Sequence, residues 1–156
     1  MSLQVKIIGS SHAGANVAYN LRRDGFEGDI EIISTESFPP YHRPPLSKDF
    51  LKGKTEKEKL TFKPEAFYSD NQITLTLDTE VLSIDRAAKT IETQQGTSAY
   101  DFLVLCTGSS PRKLNLDNAD LPEVLYLRDL QDAETIKAKL ADASHITLLG
   151  LSLIHI

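Results

Sequence analysis

The residues of this sequence best suited to chemistry form a loop at positions 7–14, IIGSSHAG. Gly9 follows an apolar run and allows a tight turn, and Gly14 lets the next helix pack close to that strand. The amides that open such a helix bind phosphate. The spacing matches G-x-G-x-x-G except for Ser11, a small residue that can itself donate to a phosphate oxygen. The loop predicts a nucleotide site, and an ordinary tight turn is the alternative.

Sites of this kind usually place an acid at the end of the second strand, where it binds ribose hydroxyls. The sequence offers Thr35 and Glu36 at that point. Glu36 has the oxygens to accept from both hydroxyls, whereas Thr35 can make a single bond. A surface acid without a ligand is the equally open alternative for Glu36. His12 is a lone histidine in the loop, so we predict no metal site there.

The elements that must position this loop follow from the apolar pattern. A strand over 3–9, a helix from Gly14 to near Gly25 and a strand over 29–34 form a βαβ unit. Its length of about 30 residues is the one that a dinucleotide-binding unit requires. Residues 38–51 contain four prolines and predict a stiff loop that ends in a short helix near Ser47.

The rest of the chain predicts a charged linker followed by short strands and helices. In chain order these are a linker at 52–59, a short helix starting at Pro64, strands at 73–77, 79–85, 89–94 and one ending at 106, a helix at 129–142 and a strand at 145–150. The predicted fold class is therefore α/β, with a parallel sheet, one βαβ unit and a small antiparallel β-meander inserted before the strand at 101–106.

Composition excludes several classes of function. A net charge of −5 over 156 residues provides no basic field for nucleic acid and no polybasic membrane patch. No apolar run is long enough to span a bilayer, and no signal-peptide pattern opens the chain. Cys106 is the single cysteine, so an internal disulfide and a C-x-x-C redox pair are excluded. We expect a cytoplasmic protein with no nucleic-acid or membrane partner.

Three further segments complete a recognisable pattern. They are PYHRPPLSKDFL at 40–51, LCTGSSPRKL at 105–114 and LRDLQDAETI at 127–136. Together with IIGSSHAG they resemble the FAD-dependent ferredoxin or rubredoxin reductases, the putidaredoxin-reductase-like pyridine nucleotide–flavin oxidoreductases. Apoptosis-inducing-factor-like proteins share the pattern. The resemblance runs in order from about residue 4 to residue 150.

The resemblance implies a Rossmann-like FAD-binding domain, with NAD(P)H as the cosubstrate that passes a hydride to the flavin and a ferredoxin or rubredoxin as the electron acceptor. It implies that Lys48 is the catalytic cation beside the flavin ring. It implies cofactor contacts from Gly9, Ser11, His12, Ala13, Gly14, Thr35, Glu36, Arg43, Pro44, Lys48, Val81, Thr107, Gly108 and Arg128. Thr35 stands where the family usually has an acid, which leaves the ribose contact open. The ring of His12 is expected to face solvent or the flavin edge.

The resemblance also divides the chain. Residues 1–110 are expected to be the N-terminal part of the FAD-binding domain, 111–144 a crossover and helix, and 145–150 the first strand of an NAD(P)-binding domain. Residues 151–156, LSLIHI, read as a translation of the transposon-end adapter CTG TCT CTT ATA CAC ATC. We therefore expect a non-native tail on an N-terminal fragment that is inactive by itself.

Two alternatives to a carrier reductase stay open at this point. One is a signalling flavoprotein of the apoptosis-inducing-factor type, and the other is an FAD-binding module without a redox-protein acceptor. Cys106 replaces the alanine usual in the family, and we interpret it as a small core residue and not as a nucleophile.

Overall fold

The structure, a computed structural model, describes residues 2–150, which form two β-sheets, three α-helices and two short 3₁₀ helices. In chain order the elements are β1 (Gln4–Ile8), α1 (His12–Arg23), β2 (Asp29–Ile33), 3₁₀ helices at Pro44–Ser47 and Lys57–Leu60, α2 (Glu65–Asp70), β3 (Ile73–Thr76), β4 (Val81–Asp85), β5 (Thr90–Thr93), β6 (Gly96–Ala99), β7 (Phe102–Leu105) and α3 (Leu130–Leu140). The α/β fold predicted from the sequence is confirmed.

The first sheet is parallel, with strand order β3-β2-β1-β7, and α1 and α2 cover one of its faces. Alternate residues of the strands, such as Ile7 and Ile32, point into this core and are fully buried. Ala18 of α1 lies in the same core. A Cβ on Gly14 would lie 1.9 Å from the carbonyl oxygen of Gly9. Only glycine therefore lets α1 approach the end of β1 this closely, as the sequence predicts.

On the opposite face of the sheet, a polar ladder crosses three strands. Lys6 is 7% exposed and forms an ion pair with Glu31, its register partner on β2. The same carboxylate accepts a hydrogen bond of 2.6 Å from the hydroxyl of Thr76 on β3. Because a buried charge is costly without a partner, this ladder fixes the register of the strands that carry the loop.

A second core joins the proline-rich loop to α3. Tyr41, Leu46, Phe50 and Leu60 pack there with Leu130 from the start of the helix. The loop is therefore held by buried side chains as well as by its prolines, and α3 is fixed beside it.

The meander differs from the expectation in its strand assignment. Its antiparallel order is β4-β5-β6, and β6 is a strand of its own, separated from β7, where the sequence suggested one strand ending at 106. The strand expected at 73–77 forms β3 and joins the parallel sheet beside β2. The break after Ala99 arises because β6 pairs with β5, whereas β7 pairs with β1.

The strand predicted at 145–150 is not formed in this structure, and its assignment to an NAD(P)-binding domain stays a prediction. Residues 145–150 form no β-ladder, and Ile146 and Leu148 are 59% and 90% exposed. A strand needs a neighbour for its amides and carbonyls, and the described residues provide none there. Met1 and residues 151–156, with the suggested adapter-derived tail, lie outside the described residues.

No helix among residues 2–150 is long and apolar enough to cross a membrane. The same residues contain no group of three or more histidine, cysteine or acidic side chains able to hold a metal ion.

Tyr68 provides a test of the core. It is 3% exposed, and its hydroxyl has no hydrogen-bond partner among the described residues. Burial raises the pKa of Tyr68 to about 12. The folded state therefore favours the protonated phenol more strongly than the unfolded chain does, where the ordinary pKa is about 10.

We expect Tyr68→Phe to raise the free energy of unfolding at pH 8 by roughly 1 kcal/mol, because the change removes a buried polar group that lacks a hydrogen-bond partner among the described residues. As the pH rises from about 10 towards 12, the wild type should lose stability while the variant loses less. Urea denaturation at pH 8 and at the alkaline end measures both effects. A variant clearly less stable than the wild type at pH 8 would contradict this account.

Candidate functional site

An open cleft of about 1010 Å³ lies at the carboxyl ends of the parallel strands. The ends of β1, β2 and β7 supply its floor at Ile8, Ile33 and Leu105. Open parallel sheets bind ligands at this edge, because the loops that follow the strands converge there. The loop at 9–14 therefore lies at the edge of the sheet where a ligand is expected to bind.

The turn between β1 and α1 has no room for a side chain at its glycine. Gly9 has a φ of +108°, and a Cβ there would lie 2.2 Å from the carbonyl oxygen of Cys106. The amide of Gly9 donates to the carbonyl of Ile33 (2.8 Å), and Ser10 donates its hydroxyl hydrogen to Ser34 (2.7 Å). These contacts hold the turn against the ends of both neighbouring strands.

The helix that leaves this turn presents an electropositive end to the cleft. α1 begins at His12, and its first turn contains no acidic residue. Ser11 is the N-cap residue, but its hydroxyl makes no capping bond to the helix. It accepts a hydrogen bond of 3.1 Å from Nε of Arg43 instead. A phosphate is the type of ligand that this helix end favours.

Arg43 joins three segments of the cleft. Its guanidinium forms an ion pair with Glu36, donates to Ser11 and donates to the backbone carbonyl of Arg128 (2.8 Å). The arginine and the glutamate are both half-buried. Glu36 lies after β2, Arg43 in the proline-rich loop and Arg128 just before α3, so one side chain ties together positions 85 residues apart.

Tyr41 reinforces the same arrangement from below. Its hydroxyl donates to Oε2 of Glu36 (2.6 Å) and accepts from the amide of Leu130 (2.9 Å), the first residue of α3. Burial, and next the hydrogen bond to Glu36, raise the pKa of Tyr41 well above its ordinary value, so the hydroxyl remains a donor. Each oxygen of the Glu36 carboxylate therefore already has a protein partner.

An aromatic cluster borders the loop at 9–14, for which the sequence predicts a nucleotide site. The ring of His12 packs edge-on against Phe62 at a centroid distance of 4.4 Å, and His42 packs on the same phenyl ring at 4.4 Å. Burial, then the neighbouring His42 and Arg43, lower the pKa of His12. His12 is exposed and lines the cleft, but the contact with Phe62 was not expected from the sequence.

Eleven of the fourteen predicted site residues line the cleft: Gly9, Ser11, His12, Ala13, Thr35, Glu36, Arg43, Val81, Thr107, Gly108 and Arg128. Gly108 and Arg128 lie close together, since a Cβ on the glycine would be 3.2 Å from the guanidinium. Gly14, Pro44 and Lys48 do not line it. Gly14 is buried under the turn, and Lys48 is exposed after the first 3₁₀ helix, so its assignment as the catalytic cation stays a prediction.

Several lining residues were missed by sequence reasoning. Thr79, Glu80 and Lys113 reach the cleft from loops, and Tyr126 and Asp132 from the region around the start of α3. One local signal was available for Asp132, because Asp129 and Asp132 form a capping box at the start of the helix. Of the other four, Lys113 lies in the LCTGSSPRKL segment, whereas Thr79, Glu80 and Tyr126 belong to none of the quoted motifs.

Cys106 is half-buried at the end of β7, where it also lines the cleft. Burial raises the pKa of its thiol above the ordinary value, which disfavours the thiolate. This environment supports the interpretation of Cys106 as a packing residue.

Comparisons with known proteins agree with this geometry. Residues 3–154 match the sequence model of the family described as pyridine nucleotide-disulphide oxidoreductase. A rubredoxin-NAD(+) reductase from Pseudomonas putida is 40% identical over 149 residues, which are 95% of this chain and 39% of that protein. A rhodocoxin reductase from Rhodococcus erythropolis is 39% identical over 97% of this chain and 36% of its own length.

A solved structure of a ferredoxin reductase from Rhodopseudomonas palustris superimposes with a TM-score of 0.84 at 41% identity, over 89% of this chain and 34% of that one. A covalent putidaredoxin reductase–putidaredoxin complex gives a TM-score of 0.81 at 37% identity, over 88% of this chain and 34% of that one. The chain thus spans little more than a third of the length of these relatives. With the strand–glycine–helix turn, the cleft and the family match taken together, the chain belongs to the pyridine nucleotide-disulphide oxidoreductase family.

Proposed function

We propose that this chain is the FAD-binding part of an NAD(P)H oxidoreductase that delivers electrons to a ferredoxin- or rubredoxin-type carrier. The observation that carries the proposal is the turn at Gly9, where the backbone leaves no room for a side chain. The turn places the N-terminus of α1, which has no acidic residue in its first turn, at a large cleft that Arg43 and Arg128 also line. A diphosphate needs close backbone approach and positive charge, and this site offers both.

The cleft residues fit FAD in size and in chemistry. The space of about 1010 Å³ suits a large dinucleotide better than a small metabolite. We assign the pyrophosphate to the backbone from Gly9 to Gly14 and to Arg43, and the ribose to the strand end at Thr35 and Glu36. Val81, Thr107, Gly108 and Arg128 are the remaining proposed contacts, together with Pro44 and Lys48 in the proline-rich loop.

FAD, when bound, supplies the step between two-electron hydride chemistry and one-electron delivery. The part of this chain is to bind and orient the cofactor. The helix end and Arg43 compensate the charge of the diphosphate, and Lys48 is proposed to approach the flavin ring, where an ammonium stabilises negative charge. The buried anchors Leu46 and Phe50 hold the proline-rich loop that carries both cations.

The names of the relatives support a carrier reductase over the two alternatives. The similar proteins are named as reductases of rubredoxin, rhodocoxin and ferredoxins, and one of the solved structures holds a reductase joined to its putidaredoxin. We propose NADH or NADPH as the electron donor, a small iron–sulfur or rubredoxin-type protein as the acceptor, and a cytoplasmic location for the protein.

The test is to purify the full-length protein and record its absorbance spectrum and its turnover. We expect bound flavin, together with oxidation of NADH or NADPH that reduces a ferredoxin or rubredoxin. A protein that stays colourless after incubation with excess FAD would rule out the cofactor assignment. A flavoprotein that reduces no one-electron carrier would rule out the reductase assignment.

Ser11 provides a test of the phosphate site. We expect Ser11→Glu to weaken FAD binding at least about tenfold, because a carboxylate at the N-terminus of α1 repels the diphosphate. A tenfold change in Kd corresponds to a loss of about 1.4 kcal/mol in binding free energy. Ser11→Gly, which restores the G-x-G-x-x-G spacing, is the matched control and should bind within about threefold of the wild type. Fluorescence titration of FAD measures both. Equal losses in the two variants would contradict the placement of the diphosphate.

Tyr41 tests the network behind the site. Tyr41→Phe removes the donor to Glu36 and leaves the amide of Leu130 without its partner, so we expect a loss of about 2 kcal/mol in the free energy of unfolding. FAD affinity should fall as well, because Glu36 and Arg43 lose their fixed positions. Tyr68→Phe is the control, since it removes a buried hydroxyl that has no partner among residues 2–150. The same result for the two variants would show that the Tyr41 hydroxyl does not order the site.

A further inference from the structure

Positive charge is concentrated in one short segment of this acidic protein. Residues 52–63, called the lysine segment below, contain five lysines and two glutamates and so carry a net charge of +3. The other 144 residues hold 12 lysines and arginines against 20 acidic residues, a net charge of −8. The five lysines are Lys52, Lys54, Lys57, Lys59 and Lys63.

All five lysine side chains are exposed. Within residues 2–150, Lys57 is the one member of the five that forms an ion pair, at 3.5 Å from Glu134, and both partners are well exposed. The ammonium of Lys63 lies 5.3 Å from the centre of the Phe67 ring. Glu56 and Glu58 are the acids inside the segment, with Asp49 and Glu65 just outside it. The segment itself therefore retains a net charge of +3, with Asp49, Glu65 and Glu134 at its borders.

The segment is held in place and is not a free tail. Leu60 is 1% exposed and sits in the core beneath the proline-rich loop. The amide of His42 donates to the carbonyl of Leu60 (2.8 Å), and the amide of Phe62 donates to the carbonyl of Pro40 (2.9 Å). At the other end, the amide of Lys54 donates to the carbonyl of Asp49 (2.8 Å). The lysines thus project from a fixed backbone.

The segment also lies next to the cleft. Phe62, the neighbour of Lys63, packs its ring 4.4 Å from the ring of His12, and His12 lines the cleft at the start of α1. A partner held by the lysine segment is therefore brought to the side of the molecule on which the cofactor site is proposed.

We propose that the lysine segment is a docking surface for the electron-carrier protein and that it attracts a carrier whose surface is acidic. This inference rests on the proposed function. Exposed, hydrated ammonium groups give weak but long-range attraction, which speeds encounter without making the complex long-lived. A carrier that must arrive, accept one electron and leave needs that kind of contact.

The charge of the remaining chain favours a compact protein partner. A nucleic-acid duplex or an anionic bilayer presents negative charge over a wide area, so it would also meet the rest of the chain, which carries a net charge of −8. A small acidic protein can meet the lysines alone. Lysine also lacks the planar fork with which arginine binds phosphate in two places.

The test uses the full-length FAD-loaded protein and a ferredoxin or rubredoxin of net negative charge. The test variant is Lys52→Glu/Lys54→Glu/Lys59→Glu. The matched control, with the same change in net charge, is Arg86→Glu/Lys89→Glu/Lys139→Glu, at exposed positions outside the segment. At low ionic strength we expect kcat/KM for the acidic carrier to be lower in the test variant by about tenfold or more. In the wild type, added salt should lower kcat/KM because it screens the lysines, and the test variant should not show this decline.

The control variant should stay within about twofold of the wild type at the same ionic strength. Reduction of a small neutral quinone should be unchanged in all three proteins, which shows that flavin chemistry is intact. Equal effects of the two triple variants, or none, would overturn the docking surface while leaving the proposed function standing. Loss of quinone reduction in the wild type would instead count against the proposed function.

Two further measurements address the other partners. Binding to a DNA duplex and to vesicles containing phosphatidylserine should be weak and equal for the wild type and the test variant. Binding that disappears in the test variant, with carrier kinetics unchanged, would overturn the proposal and assign the segment to a polyanion or a membrane.

Discussion

The carboxylate of Glu36 is the point on which the arrangement of the cleft depends. It binds the guanidinium of Arg43 and the hydroxyl of Tyr41. Through them it fixes the loop at 9–14 and the start of α3. A half-buried carboxylate and guanidinium stabilise each other only while both remain. Removing the acid would leave Arg43 without a counter-charge and would free two loops at once.

This arrangement changes the role that the sequence suggests for Glu36. As a free strand-end acid it would have both oxygens available for ribose hydroxyls. In the structure one oxygen accepts from Arg43 and the other from Tyr41. Each oxygen retains a second lone pair, so the proposed ribose contact would add to these bonds and would not replace them. Thr35, the other residue proposed to contact the ribose, is exposed and lines the same cleft.

Local signals explain what the sequence could predict. The βαβ unit and the loop at Gly9 each depend on residues within one short window, and both are confirmed. The pairing of Tyr41 with Leu130 joins residues 89 positions apart, and no local pattern encodes it. At 145–150 a local pattern was not sufficient. The apolar residues there favour a strand, but the described residues offer no strand for it to pair with. The lining residues Thr79 and Tyr126 likewise reach the cleft only through tertiary packing.

Lys6 and Arg43 differ from the lysine segment in burial. Lys6 and Arg43 are buried or half-buried, and each is paired with a glutamate, because an unpaired charge there would be costly. The lysines at 52–63 stay hydrated and need no partner within the fold. Arg43 and the lysine segment meet at the proline-rich loop, which carries Arg43 and is hydrogen-bonded to the lysine segment. The same buried anchors therefore position an inner charge, which holds the site together, and an outer charge, which is available to a partner.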